Sequence, residues 1–206
     1  MPQFIYDDLM ALERRYRANF VNSLAGYRSA VLVGSVDAED ATNLAIFNST
    51  IHIGANPPLM GLLCRPPTPK HQTLANISAT GAYTINAVRR DMIQAAHQTS
   101  ASYDKATSEF EACGLTPVYF EGHRAPAVQE SPIRIGLSLV EQIEIKLNGT
   151  ALVIGRVEHV YVADGLLQED GHLRPDQADL VCCGGLDTYF LPSFVERLGY
   201  ARVDGG

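Results

Sequence analysis

Leu137-Ser-Leu-Val-Glu-Gln-Ile-Glu-Ile-Lys-Leu-Asn148-Gly149-Thr150-Ala-Leu-Val-Ile-Gly-Arg-Val-Glu-His-Val-Tyr-Val162 carries the strongest β signal of the chain. Leu137, Leu139, Ile143, Ile145 and Leu147 alternate, in imperfect phase, with Glu141, Glu144 and Lys146. Such alternation describes a strand that buries one face. Asn148-Gly149 turns the chain, and residues 150–162 return as a second long strand. Both residues of an Asn-Gly pair tolerate positive φ, so a type I′ hairpin is expected here.

Outward from this hairpin the elements are short. Residues 29–36 are rich in β-branched side chains and read as a buried strand, and residues 43–47, 59–63 and 83–88 read as further strands. Leu9, Leu12, Tyr16 and Phe20 recur at helical spacing and predict an N-terminal amphipathic helix over about residues 4–20. Thr73 suits an N-cap, with Leu74, Ile77 and Ser78 inside the helix and Gly81 just beyond it. A helix is expected over residues 91–96, and Ser108-Glu-Phe-Glu111 fits a capping box ahead of another. The Gly-rich tail from Asp164 reads as loop, closed by a short helix near residues 193–198. Strands dominate and no regular βαβ alternation occurs, which favours a mainly β, antiparallel barrel with short peripheral helices. One domain is expected over residues 1–206, with the barrel at about 28–162 and a C-terminal extension at about 163–206.

Composition narrows the function. The 206 residues are 46% hydrophobic and 19% charged with a net charge of -7, which speaks against nucleic acid as a partner. No basic segment precedes an apolar run at the N-terminus, and no apolar run is long enough to span a bilayer, so a soluble cytoplasmic protein away from membranes is expected. Cys64, Cys113, Cys182 and Cys183 form no C-x-x-C pair and read as buried, reduced thiols. The N-x-[ST] sequons at Asn48, Asn76 and Asn148 read as chance matches in the absence of a secretory signal. There is no G-x-G-x-x-G, no P-loop, no G-x-S-x-G, no H-E-x-x-H and no Cys/His zinc spacing.

What remains is a cluster of small donors and cations. Asn43-Leu-Ala-Ile-Phe-Asn-Ser-Thr50 runs a strand into Asn48, Ser49 and Thr50, and Arg65-Pro-Pro-Thr-Pro-Lys-His-Gln-Thr73 sets Arg65, Lys70 and His71 ahead of a helix start. Cations beside free N–H groups at a helix N-terminus suit a phosphorylated planar ligand. Taken alone, Asn48-Ser49-Thr50 also fits an ordinary polar turn, and the cations fit a solvated loop. His97-Gln-Thr99-Ser100 concentrates further donors, reading equally as a polar helix end or as ligand contact.

The order of these pieces, with Asn56-Pro-Pro58, Gly81-Ala-Tyr-Thr-Ile-Asn86 and Gly155-Arg-Val157, resembles the flavin reductase-like family of FMN-binding split barrels over about residues 19–161. The resemblance implies a Greek-key split barrel, FMN as cofactor, NAD(P)H as electron donor and a homodimer that completes the site. It also implies that Asn48, Ser49 and Thr50 contact FMN, that Arg65, Lys70, His71 and Thr73 lie by its phosphate, and that His97, Thr99 and Ser100 lie near the flavin. The flavin carries the chemistry, so no side chain is assigned as catalytic. Many flavin reductases of this family carry Gly-Asp-His before the last strand, where this chain reads Asn148-Gly149-Thr150. FMN binding is thus better supported than NAD(P)H turnover. An electron carrier or flavin-binding module stands as the alternative, and a barrel whose loops bind nothing ranks behind both.

Overall fold

A computed structural model describes residues 3–66, 72–104 and 106–202. Its helices are α1 (Tyr6–Ala11), α2 (Arg14–Ser23), α3 (Thr73–Thr80), α4 (Ile93–Gln98) and α5 (Glu109–Ala112). Its strands are β1 (Arg28–Ser29), β2 (Val31–Val36), β3 (Thr42–Phe47), β4 (Thr50–Ala55), β5 (Pro58–Cys64), β6 (Ala82–Ala87), β7 (Pro117–Val118), β8 (Ala127–Val128), β9 (Ile133–Ile145), β10 (Thr150–Val162), β11 (Cys182–Gly184) and β12 (Thr188–Phe190).

Seven strands form one antiparallel sheet in the order β3-β2-β6-β9-β10-β5-β4. The outermost strands, β3 and β4, are joined by Asn48 and Ser49 alone. So short a link holds the two ends of the sheet together, and the sheet must curl into a split barrel. Ser49 also ties its flank to β5, accepting the Leu63 N–H at its carbonyl and donating its hydroxyl to the Leu63 carbonyl.

Two apolar cores follow from the alternation of side chains. Val31, Val33, Leu62, Tyr83, Leu137 and Val153 fill the barrel interior. Leu32, Leu44, Val88, Met92, Phe110 and Val128 pack between the sheet and the outer layer. All six residues of β2 are buried because it is covered on both faces, which explains its unbroken apolar run. Two glycines mark close approaches. A Cβ at Gly34 would overlap the Pro126 carbonyl oxygen, and one at Gly155 would overlap the Tyr83 hydroxyl. Tyr83 is fully buried, its hydroxyl has no hydrogen-bond partner, and burial pushes its pKa upward.

Several local expectations change. The N-terminal helix is two helices, because Leu12 is extended and the Glu13 carboxylate accepts from the Arg15 and Tyr16 N–H groups, starting α2 afresh. Neither helix buries a residue. The Asn-Gly link is a four-residue loop, Lys146 to Gly149, between the paired Ile145 and Thr150. Gly149 has φ 71° while Asn148 keeps a negative φ, so the type I′ turn does not form. The imperfect phase of β9 is a bulge: Ile154 pairs with Glu141 and Gly155 with Leu139, leaving Val140 over. Beyond the bulge the faces exchange, which puts Ile143 and Ile145 on the outside. Ser108 makes no capping bond, its hydroxyl instead sitting 2.7 Å from that of Thr42. Residues 193–198 form no helix.

Candidate functional site

A cleft of about 530 Å³ lies beside β3, within the size range of small-molecule and cofactor sites. As an end strand, β3 leaves one edge unpaired by the sheet. The Leu44 N–H points away from β2 and donates to Glu109 Oε2 at 2.9 Å. Alternation directs the backbone groups of Ile46, a lining residue, the same way. One wall of the cleft is the segment after β5 leading into α3, with Leu63, Cys64, Arg65, Gln72, Thr73 and Leu74. The other comes from the end of α4, from α5 and from the β11–β12 hairpin.

The start of α3 leaves backbone donors open beside the cleft. Gln72 precedes it without a side-chain cap, and the Asn76 N–H is the first to close a helical bond, back to the Gln72 carbonyl. The N–H groups of the first turn thus lie without helical partners beside the cleft. Thr73 is the first helical residue rather than the cap that its sequence position suggested. Its buried hydroxyl accepts from Asn43 Nδ2 at 3.2 Å, which leaves its own proton free to donate. Asn43 also donates to Ser35, as does Asn76, so β2, β3 and α3 share one buried polar network. Gly81 ends α3 in the left-handed conformation, φ 70°, as its position predicted.

The expected site residues separate as follows. Asn48, Ser49, Arg65, Thr73, His97, Thr99 and Ser100 all line this one cleft. The Asn48 amide donates to the Gly185 carbonyl at 2.9 Å, and Ser49 holds Leu63, so both also serve the framework. Thr50 starts β4 opposite Leu62 and does not line the cleft. Lys70 and His71 lie outside the described residues. The Thr99 and Ser100 hydroxyls donate to the Ala96 and His97 carbonyls, closing the end of α4, and retain lone pairs for a ligand. His97 Nδ1 lies 2.9 Å from the Tyr189 hydroxyl across the cleft wall.

Sequence reasoning missed Asn43, Gln72, Glu109, Cys183, Asp187 and Tyr189 among the lining residues. Burial raises the Glu109 carboxyl pKa, against the lowering effect of the Leu44 N–H, and pushes the Tyr189 hydroxyl up to about 12. Burial likewise pushes the Cys64 thiol up to about 12, an inert rather than reactive cysteine. No group of three or more metal-ligating side chains occurs among the described residues.

The curled antiparallel sheet, with a cleft along its end strand, defines a split-barrel protein. Residues 24–177 match the flavin reductase like domain. The chain belongs to the flavin reductase-like family, as a split-barrel flavoprotein. It is 32% identical over 151 residues to an uncharacterised protein of Halalkalibacterium halodurans, covering 70% of this chain and 72% of that one. A crystal structure from Shewanella frigidimarina, described as a flavin reductase with split barrel domain, shares 47% identity at a TM-score of 0.94, covering 98% of this chain and 100% of that one. Flavoredoxin of Desulfovibrio vulgaris shares 26% identity at a TM-score of 0.72, with 88% and 94% covered.

Proposed function

We propose that this protein binds FMN in the β3 cleft and passes electrons from NAD(P)H to flavin or another acceptor. The observation that carries this reading is the convergence of residues 48–49, 65 and 72–74 on one cleft. The donor set fits the cofactor. Arg65, the Thr73 hydroxyl and the open first turn of α3 suit a phosphate, and the free edge of β3 at Ile46 offers backbone donors and acceptors to a ring with amide-like edges. When bound, the flavin would supply hydride acceptance and electron transfer. The protein's part is to anchor the phosphate, align the ring along β3 and exclude water with Phe47, Leu186 and Tyr189. No side chain needs to act as acid or base.

The reading includes a homodimer in the cytoplasm. Ile51, Ile53, Leu63, Ile143 and Ile145 are exposed on the outer face of the barrel. Leu63 also lines the cleft, so a second copy seated on this face would border the site. The four cysteines are all free, which suits a reducing compartment.

A second reading, an FMN-binding electron carrier without its own NAD(P)H turnover, is favoured by the entry into β10, which reads Asn148-Gly149-Thr150 and offers no imidazole. The absorption spectrum of the purified protein, an FMN titration, and NADH and NADPH oxidation with FMN present test both. A colourless protein indifferent to FMN removes both readings, and tight FMN without turnover leaves the second.

A further inference from the structure

The family match ends at residue 177, yet Cys183, Leu186, Asp187 and Tyr189 of the β11–β12 hairpin wall the cleft. The hairpin is fixed rather than draped. β11 pairs with β1, joining Arg28 to Cys183 and Ser29 to Cys182. The Gly185 carbonyl accepts from the Arg28 guanidinium at 2.7 Å and from Asn48 Nδ2 at 2.9 Å, and Tyr189 meets His97. What it presents to the cleft is an aromatic ring, an exposed aliphatic side chain and a carboxylate, and Glu109 adds a second carboxylate on the same side. Arg65 stands on the facing wall, beside the α3 N-terminus. One side thus suits phosphate, and the other suits an apolar ring while repelling anions.

Resting on the FMN reading above, we propose that the β11–β12 hairpin is the selectivity element of this cleft. It admits a planar, uncharged aromatic compound beside the flavin, with Asp187 turning away anionic analogues and Tyr189 and Leu186 supplying the apolar surface. The lining supports this choice. A flat ring gains from the aromatic and aliphatic contact, while a second anion would meet Asp187 and Glu109 after the phosphate had occupied Arg65.

The test is calorimetric titration of the oxidised, FMN-loaded protein with two inert probes of one shape, 2-naphthamide and 2-naphthoate. The amide should bind up to about fivefold more tightly than the carboxylate, as expected of an exposed charge. Asp187→Lys should narrow or invert that ratio by about fivefold, and Asp187→Asn by less, with the shift fading at high salt. Asp164→Lys, on the exposed turn after β10, makes the same change in net charge and should leave the ratio alone. Tyr189→Ala should weaken both probes. Equal binding of the probes, or an Asp187→Lys ratio matching that of Asp164→Lys, overturns the selectivity proposal while FMN binding stands. Failure of the wild-type protein to take up FMN overturns the functional reading and this inference together.

Discussion

Replacing Thr73 by Val keeps the shape at the start of α3 and removes one hydroxyl with two roles. Within the protein, that oxygen accepts from Asn43 Nδ2, which retains Ser35 as its second acceptor. Thr73 is 5% exposed, so solvent will not replace the lost partner, and the folding cost should be about 1 kcal/mol. In the proposed FMN complex, the hydroxyl proton would be free for a phosphate oxygen. A hydrogen bond to a charged group contributes about 1.5–3 kcal/mol, so FMN affinity should fall roughly tenfold to a hundredfold. Riboflavin, which lacks the phosphate, supplies the internal control. Titrations of both ligands, followed by the flavin absorbance change, should show the loss for FMN and nearly none for riboflavin. Equal losses for the two ligands would refute the placement of the phosphate at α3, since the hydroxyl would then be serving the ring or only the framework.

Further outcomes follow from the same structure. Arg65→Ala should weaken FMN binding and flatten its dependence on salt, measured by titration across ionic strength. Gly155→Ala should destabilise the fold by about 1–3 kcal/mol in denaturant melts, because its Cβ meets the buried Tyr83 hydroxyl, and Tyr83→Phe should relieve part of that cost. Glu109 has a raised carboxyl pKa, so its stabilising contribution is fully present below the ordinary value of 4.5 and is lost as pH rises through the folded value. Glu109→Gln removes that penalty while keeping an acceptor for the Leu44 N–H. Its stability relative to wild type should therefore improve as pH rises above 4.5, and a constant difference would contradict the reading. Ile51→Glu should shift sedimentation toward the monomer if the outer barrel face joins two copies.

Local chemistry made much of the barrel legible. Residues 29–36 announced a buried strand, which forms over Val31–Val36, the β9–β10 pair announced the long hairpin, and Gly81 announced the end of α3. Two expectations failed because a competing partner had claimed the side chain. Glu13 split the first helix by capping the second, and Ser108 met Thr42, 66 residues away in sequence, instead of its own helix. The lining of the cleft was legible where its signal is local, at residues 48–49, 65 and 73. The wall opposite was not, because Asn48 reaches Gly185 across 137 residues of sequence, and a short Cys-Cys-Gly-Gly stretch carries no periodic signal for such a contact.

The two-residue bridge between the first and last strands of the sheet has a thermodynamic corollary. A molecule lodged there would grip elements drawn from both ends of the sheet and from the C-terminal hairpin, so uptake of FMN and cohesion of the whole protein would be linked equilibria. At a free concentration one hundred times Kd, the loaded form would gain about 2.7 kcal/mol against unfolding. Apoprotein and loaded protein would then melt at different temperatures, and the gap would widen as the free flavin concentration rises.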